Sequence, residues 1–165
     1  MKHYTKLALV SGVLFGLLSV SAFAQRKGSI KLLCTAHKEI VVVNDAGERQ
    51  ITYTSVAVTL PGDVIRYTLT YNHIGDEPAT SVVIINPIPE STFYIADSAG
   101  GEDMEISFSI DGGKAYGKAK ELKVIGPGGV SRLALPAEYT HVRWELLREL
   151  EKGESGIVFF KVRIK

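Results

Sequence analysis

Apolar and polar residues alternate with a period of two along most of the chain after residue 24. Between residues 64 and 71, Ile65, Tyr67, Leu69 and Tyr71 fall on one face, and the residues between them are mainly polar. This spacing predicts a β-strand with one buried and one solvated face. Further strands are predicted by the same alternation or by runs of β-branched and aromatic residues at 40–43, 51–60, 80–85, 93–96, 104–110, 142–146 and 158–164.

Short turn signals separate these strands. Pro61 presets φ, Gly62 can take a positive φ, and Asp63 can bond its own turn before the next strand begins. Gly153 and Glu154 repeat this device before the last strand. Many short strands with frequent turns predict an all-β sandwich or barrel. Two stretches differ. Residues 115–135 read as a long connection with one short strand at 122–125, and the helix-favouring composition of 144–150 leaves a short helical turn open there.

The first 24 of the 165 residues have the pattern of a cleaved export signal. Lys2 and Lys6 form a basic start, an apolar run covers 7–20, and Ala22 and Ala24 are small residues where a signal peptidase needs them. An uncleaved membrane anchor is the alternative, but a spanning helix needs about 20 apolar residues. We therefore predict a signal peptide at 1–24, a single domain at 25–165 without a transmembrane segment, and a periplasmic or secreted location.

Charge and cysteine content narrow the function classes. The chain has 19 Lys and Arg and 18 Asp and Glu, and loss of Lys2 and Lys6 with the signal leaves a net charge of −1. This near-neutral balance gives no electrostatic basis for nucleic-acid binding. Cys34 is the only cysteine, so one chain cannot form a disulfide. Alternation puts Ile30, Leu32 and Cys34 on one face, which predicts a buried thiol, while a disulfide between chains or a reactive thiol remains the alternative.

A set of motifs covers most of the predicted domain. It consists of proline-glycine-aspartate at 61–63, asparagine-x-x-glycine at 72–75, proline-alanine-threonine at 78–80, and glycine-glutamate-serine-glycine at 153–156. Over about residues 55–165 the chain resembles the conserved repeat domain catalogued as domain of unknown function eleven. The resemblance implies an immunoglobulin-like (Ig-like) antiparallel β-sandwich on exported bacterial and archaeal envelope proteins, with no catalytic residues and no agreed ligand. This chain departs from the family in having one copy and a longer, less regular segment at 112–136.

Two stretches invite a ligand-binding interpretation. Residues 112–119 nearly match a phosphate-binding loop, but Ala119 stands where Ser or Thr would hold magnesium. Asp97, Glu102 and Asp103 surround two glycines and are candidate calcium ligands, with a solvated charged loop as the plainer interpretation. For carbohydrate, the stacking candidates are Tyr94, Tyr116 and Tyr139, which lie near loops.

Catalytic constellations are weak. Ser155 lies in a sequence one residue short of a nucleophile elbow and precedes a strand, where an elbow would precede a helix. His37, His73 and His141 show no metal-ligand spacing. We therefore expect a non-catalytic chain without a cofactor, a structural or protein-interaction component of the envelope whose partner is another envelope or surface protein. Strand addition at a sheet edge is a plausible mode. A module that binds calcium or carbohydrate is the alternative.

Overall fold

The computed structural model describes residues 30–165. The predicted signal peptide, with Ala22 and Ala24, lies outside the described residues. The described chain is all-β, and every strand pairing in it is antiparallel. None of its helices is long and apolar enough to span a membrane.

Eleven strands and two single 3₁₀ turns make up this part of the chain. The strands form a large sheet in the order β2-β1-β3-β11-β5 with β6 also paired to β11, a three-stranded sheet in the order β4-β10-β7, and a separate β8–β9 hairpin. Their bounds are β1 (Ile30–Val43), β2 (Arg49–Ser55), β3 (Val64–His73), β4 (Val83–Pro87), β5 (Thr92–Tyr94), β6 (Gly100–Gly101), β7 (Met104–Ser109), β8 (Lys123–Ile125), β9 (Ser131–Leu133), β10 (His141–Leu146) and β11 (Ser155–Ile164).

The core lies between the large sheet and the three-stranded sheet. Trp144 of β10 contacts Phe160 of β11, with 5.9 Å between the ring centroids, and both side chains are fully buried. The predicted apolar faces of β3 and β11 point into this core. Burying these side chains removes apolar surface from water, which is the main force that holds the sheets together. The arrangement is consistent with a β-sandwich.

Residues 144–150 contain no helical turn. β10 extends to Leu146, and Leu150 is fully buried and exchanges two backbone hydrogen bonds with Ala79, at 2.9 and 3.0 Å. The helix propensity of Glu, Leu and Arg is only a weak preference. Burial of Leu146 and Leu150, together with their backbone hydrogen bonds, outweighs this preference.

The three-stranded sheet does not cover the whole inner face of the large sheet. Every residue of β2 is exposed, and on β1 Leu32 is 46% exposed. Cys34 is also exposed, so the expectation that it is buried is wrong. The predicted face was right, because Cys34 pairs with the buried Leu69 and shares its side of the sheet. At β1, however, the three-stranded sheet does not cover this face, so Leu32 and Cys34 stay exposed.

Candidate functional site

The acidic residues singled out as calcium candidates occupy separate turns. Asp97 follows β5, whereas Glu102 and Asp103 lie between β6 and β7. The Asp103 carboxylate accepts a hydrogen bond from Arg148 Nε at 3.1 Å. Within residues 30–165 no group of three or more His, Cys, Asp or Glu side chains is placed to hold a metal ion. Asp97, Glu102 and Asp103 therefore do not form one ligand cluster.

The three tyrosines singled out as carbohydrate candidates are mostly packing residues. Tyr94 and Tyr139 are buried and form a cluster with Phe108, with ring centroids 4.6 to 5.7 Å apart. Desolvation by burial raises the pKa of both phenols. Tyr116 is partly buried, with the Arg143 guanidinium 5.9 Å from its ring centre. The faces of Tyr94 and Tyr139 are thus used within the core.

In the loop that nearly matches a phosphate-binding sequence, residues 112–119, backbone amides bind the Asp111 carboxylate. Asp111 Oδ1 accepts hydrogen bonds from the backbone N–H groups of Lys114 and Ala115, both at 3.1 Å, and from the Ser109 hydroxyl at 2.7 Å. The N–H of Gly113 donates to the same hydroxyl at 2.9 Å. The Ser109 hydroxyl and the two amides hold the pKa of Asp111 below its usual value. The amides that would cradle a phosphate are already bonded.

The turn at Pro61 and Gly62 ties the start of β3 to β1. Gly62 has φ of 93°, a conformation that glycine adopts easily. The Asp63 carboxylate accepts the Leu60 N–H at 2.7 Å and pairs with Lys38 of β1 at 2.6 Å. The bonds from Lys38 and Leu60 lower the pKa of Asp63.

The turn before β11 repeats this arrangement. Gly153 has φ of 78°, and the Glu154 carboxylate accepts the Glu151 N–H at 3.0 Å. Arg148 Nη1 donates to Glu154 at 2.9 Å, and the same guanidinium reaches Asp103. Arg148 lowers the pKa of Glu154 through this bond. In both turns an acidic side chain accepts a backbone N–H of the turn and forms a salt bridge with a basic side chain, Lys38 for Asp63 and Arg148 for Glu154.

The ring nitrogens of His73 and His141 lie within hydrogen-bond distance of a backbone carbonyl and a threonine hydroxyl, respectively. The buried His73 places Nδ1 3.1 Å from the Glu151 carbonyl oxygen, and His141 Nδ1 lies 3.1 Å from the Thr140 hydroxyl. No histidine of the described chain hydrogen-bonds Ser155 or Cys34.

Sequence reasoning missed that β4 is an edge strand with an apolar groove beside it. The Val82 carbonyl accepts the Leu146 N–H of β10 at 2.9 Å, and the Ile88 N–H donates to the Thr140 carbonyl at 2.8 Å. Hydrogen-bonding direction alternates along an antiparallel strand. The backbone groups of Val83 and Ile85 therefore point away from β10, at an edge where the described chain supplies no neighbouring strand.

An apolar groove runs beside this edge. It has a volume of about 390 Å³ and is lined by Ile30 and Leu32 of β1 and by residues 79–85. The uncovered inner face of β1 continues beyond the groove to Cys34, and partial burial raises the pKa of the Cys34 thiol.

Comparison with known proteins gives no relative: no family model, no curated protein and no solved structure matches the chain.

A weak signal for this edge is present in the sequence. Pro78 and Pro87 bracket the β-branched run at 80–85. Proline lacks a backbone donor and is confined to edge strands and strand ends. Pro87 has the same parity as Val83 and Ile85, so its position is one where no N–H is needed for pairing with β10.

Proposed function

We propose that this chain is an exported, non-catalytic Ig-like module, related to the domain of unknown function eleven, that binds an extended segment of another envelope or surface protein. The observation that carries the proposal is the open edge of β4 beside the apolar groove. An open edge offers unpaired N–H and C=O groups, and an added strand can satisfy them.

The geometry of the edge indicates the chemistry of the partner strand. Side chains alternate between the two faces of a strand. Partner side chains opposite Ile84 would point toward the groove and Leu32, while those opposite Val83 and Ile85 would lie on the outer face. The groove lining is mainly apolar. A segment with an apolar residue at every second position fits both surfaces.

The envelope location is supported by the sequence pattern of residues 1–24 and by the resemblance over 55–165. The antiparallel all-β architecture agrees with the fold that the resemblance implies. No observation on the described residues supports the alternative, binding of calcium or carbohydrate. The carboxylates are dispersed, and Tyr94 and Tyr139 face the core.

Site-specific photo-crosslinking in cells that produce the full chain tests this function. A photoreactive residue at Ile85, 45% exposed, should give a discrete adduct with an envelope protein. The matched position is Leu33, which is 60% exposed and lies on the outer face of the large sheet, away from the groove.

Val83→Pro supplies the decisive comparison. It removes a backbone donor at the open edge and leaves pairing with β10 intact. The Ile85 adduct should disappear in Val83→Pro chains and should have no counterpart at Leu33. An adduct that persists in Val83→Pro, or that forms equally from Leu33, contradicts strand addition at β4.

A further inference from the structure

A second exposed surface lies far from the groove in sequence and shares no residue with it. We call residues 122–135, which contain β8, β9 and the turn between them, the apolar hairpin. Ile125 is 81% exposed, the highest value for any large apolar side chain among the described residues. Val130 is 68% exposed, and Leu133 and Leu135 are also more than half exposed. Exposed apolar side chains concentrated in one hairpin are typical of an interaction surface.

The base of the apolar hairpin is firmly attached to the domain. Ala134 is buried, and its N–H donates to the Leu122 carbonyl at 2.8 Å. Leu122 and Val124 pack against the core. Arg132 forms two hydrogen bonds of 2.7 Å with the Glu138 carboxylate, the bidentate geometry that fixes both side chains. The tip is therefore held outward by ordered contacts.

Part of the backbone of the tip is paired within the hairpin. β8 and β9 pair with each other, the Gly126 N–H donates to the Val130 carbonyl at 2.9 Å, and the Gly129 N–H donates to the Gly126 carbonyl at 3.2 Å. Pro127 has no N–H to satisfy. The backbone groups of Ile125 and Ser131 have the other parity and point away from the partner strand. Backbone groups in the hydrocarbon region must be paired internally. The tip therefore fits the hydrated headgroup boundary of a bilayer and not its hydrocarbon core.

The charges around the hairpin have one predominant sign. Residues 115–138 contain four basic side chains and two acidic ones, Glu121 and Glu138. Lys118 is paired with Glu105 at 3.0 Å, and Arg132 with Glu138. Lys120 and Lys123 are exposed and have no carboxylate partner within the described chain. Lysines beside an apolar tip complement anionic lipid headgroups, whereas the centres of protein interfaces are depleted in lysine.

We propose that the apolar hairpin docks on an anionic lipid bilayer, with Ile125 and Val130 at the headgroup boundary and Lys120 and Lys123 on lipid phosphates. This inference is independent of strand addition, because no hairpin residue lines the groove beside β4. Failure of either proposal leaves the other intact.

Vesicle co-sedimentation of the chain processed by its exporting cell tests the proposal. Vesicles of phosphatidylglycerol and phosphatidylcholine in roughly a 3:7 ratio provide the negative surface that attracts basic segments, and pure phosphatidylcholine vesicles are the neutral comparison. We expect binding to the anionic vesicles that weakens with added salt. Replacing Lys120 and Lys123 by Gln should reduce the partition coefficient roughly 25-fold, about fivefold per lysine.

The double variant Ile125→Ser and Val130→Ser should reduce partitioning about tenfold or more. Leu33→Ser is the matched control, because Leu33 is similarly exposed on the outer face of the large sheet, and it should bind like the parent chain. Unchanged binding of the hairpin double variant, or no binding to anionic vesicles by the parent, overturns the proposal. Equal losses in the Leu33→Ser control overturn it as well.

A fluorescence measurement reports the position of the tip directly. Cys34 is the only cysteine, so Cys34→Ser combined with Ile125→Cys gives a single labelling site for an environment-sensitive dye. The dye emission should shift to the blue on anionic vesicles and not on neutral ones. A dye that shifts with an added envelope protein fraction but with neither vesicle identifies a protein-docking hairpin and refutes lipid docking.

Discussion

Gly156→Ala tests the packing of Tyr71 against the middle of the large sheet. Gly156 of β11 pairs with Tyr71 of β3, and the Tyr71 ring lies over the glycine. A Cβ at position 156 would lie 2.2 Å from Tyr71 Oη and 2.4 Å from Cζ, far inside any normal contact distance. Tyr71 is only 3% exposed, so its ring has little room to move aside.

Two opposing effects set the size of the loss. Overpacking a well-packed core costs about 1–3 kcal/mol. Replacing glycine by alanine inside a strand returns roughly 0.5–1 kcal/mol, because the unfolded chain loses conformational freedom. We expect the free energy of unfolding to fall by about 1–2 kcal/mol. For a domain of this size the melting temperature should fall by roughly 3–8 °C.

Urea and thermal denaturation followed by circular dichroism measure this loss. Gly126→Ala is the matched control, because its Cβ would meet only the Val130 carbonyl oxygen at 3.5 Å, an ordinary contact, and Gly126 has φ of −82°. Gly126→Ala should leave the free energy of unfolding unchanged or raise it by up to about 1 kcal/mol.

A double-mutant cycle assigns the loss to Tyr71. Tyr71→Val removes the ring, so in that background only the gain from alanine remains and Gly156→Ala should raise the free energy of unfolding by roughly 0.5–1 kcal/mol. The coupling energy should then equal the overpacking cost of about 1–3 kcal/mol. Additive effects of the two substitutions would show that the close approach of Tyr71 to Gly156 is not the cause. A Gly156→Ala chain as stable as its parent would refute the packing itself.

Three further predictions address the edge, the thiol and the hairpin clamp. Val83→Pro should lower the free energy of unfolding in urea by less than about 1 kcal/mol. Ile84→Pro removes a hydrogen-bond donor to β10 from a buried position and should lower it by about 3 kcal/mol or more. Equal losses would contradict the assignment of the Val83 backbone to the side of β4 that faces away from β10. Cys34 should react with Ellman's reagent without denaturant, and because burial raises its pKa, the midpoint of the rate against pH should lie above the usual value for a free thiol; a thiol that reacts only after unfolding contradicts this. The hydrogen bond from Arg132 lowers the pKa of Glu138 from 4.5 to about 2. Its stabilising contribution is therefore present above pH 4.5 and lost as the pH falls toward 2. Glu138→Gln should flatten this part of the curve of melting temperature against pH, and an identical curve would disprove the clamp.

Strand positions were predictable where local pattern decides burial. The alternation at 64–71 and 158–164 reports directly which side chains lie inward, because each face of a strand repeats every second residue. The same logic assigned Cys34 to the correct face. It failed on burial, because coverage depends on how far the opposite sheet extends, and that is a property of the topology.

β7 shows a related limit. Ser107 and Ser109 alternate with apolar residues and lie on the face expected to be solvated, yet both are buried. Ser109 is covered by the loop that Asp111 organises, through the hydrogen bonds to its hydroxyl. Side-chain to backbone bonding between neighbouring residues is specified by sequence, but the surface that a folded loop covers is not.

The candidate site was the least predictable part. Its walls come from β1 and from residues 79–85, about fifty positions apart in sequence. Whether β4 lies at an edge depends on the order of all the strands in its sheet. Apolar residues at Ile125 and Val130 were visible in the sequence, but their exposure follows from the attachment of the hairpin at Leu122 and Ala134.

The position of β11 has a consequence for the order in which the large sheet can form. β11 lies inside this sheet, where Arg163 pairs with Val64, 99 residues earlier. Contacts so distant in sequence form slowly, because a long loop must close first. Val158, Phe160 and Val162 of this strand are fully buried core residues. The core should therefore be completed only when residues 155–164 have paired with β3.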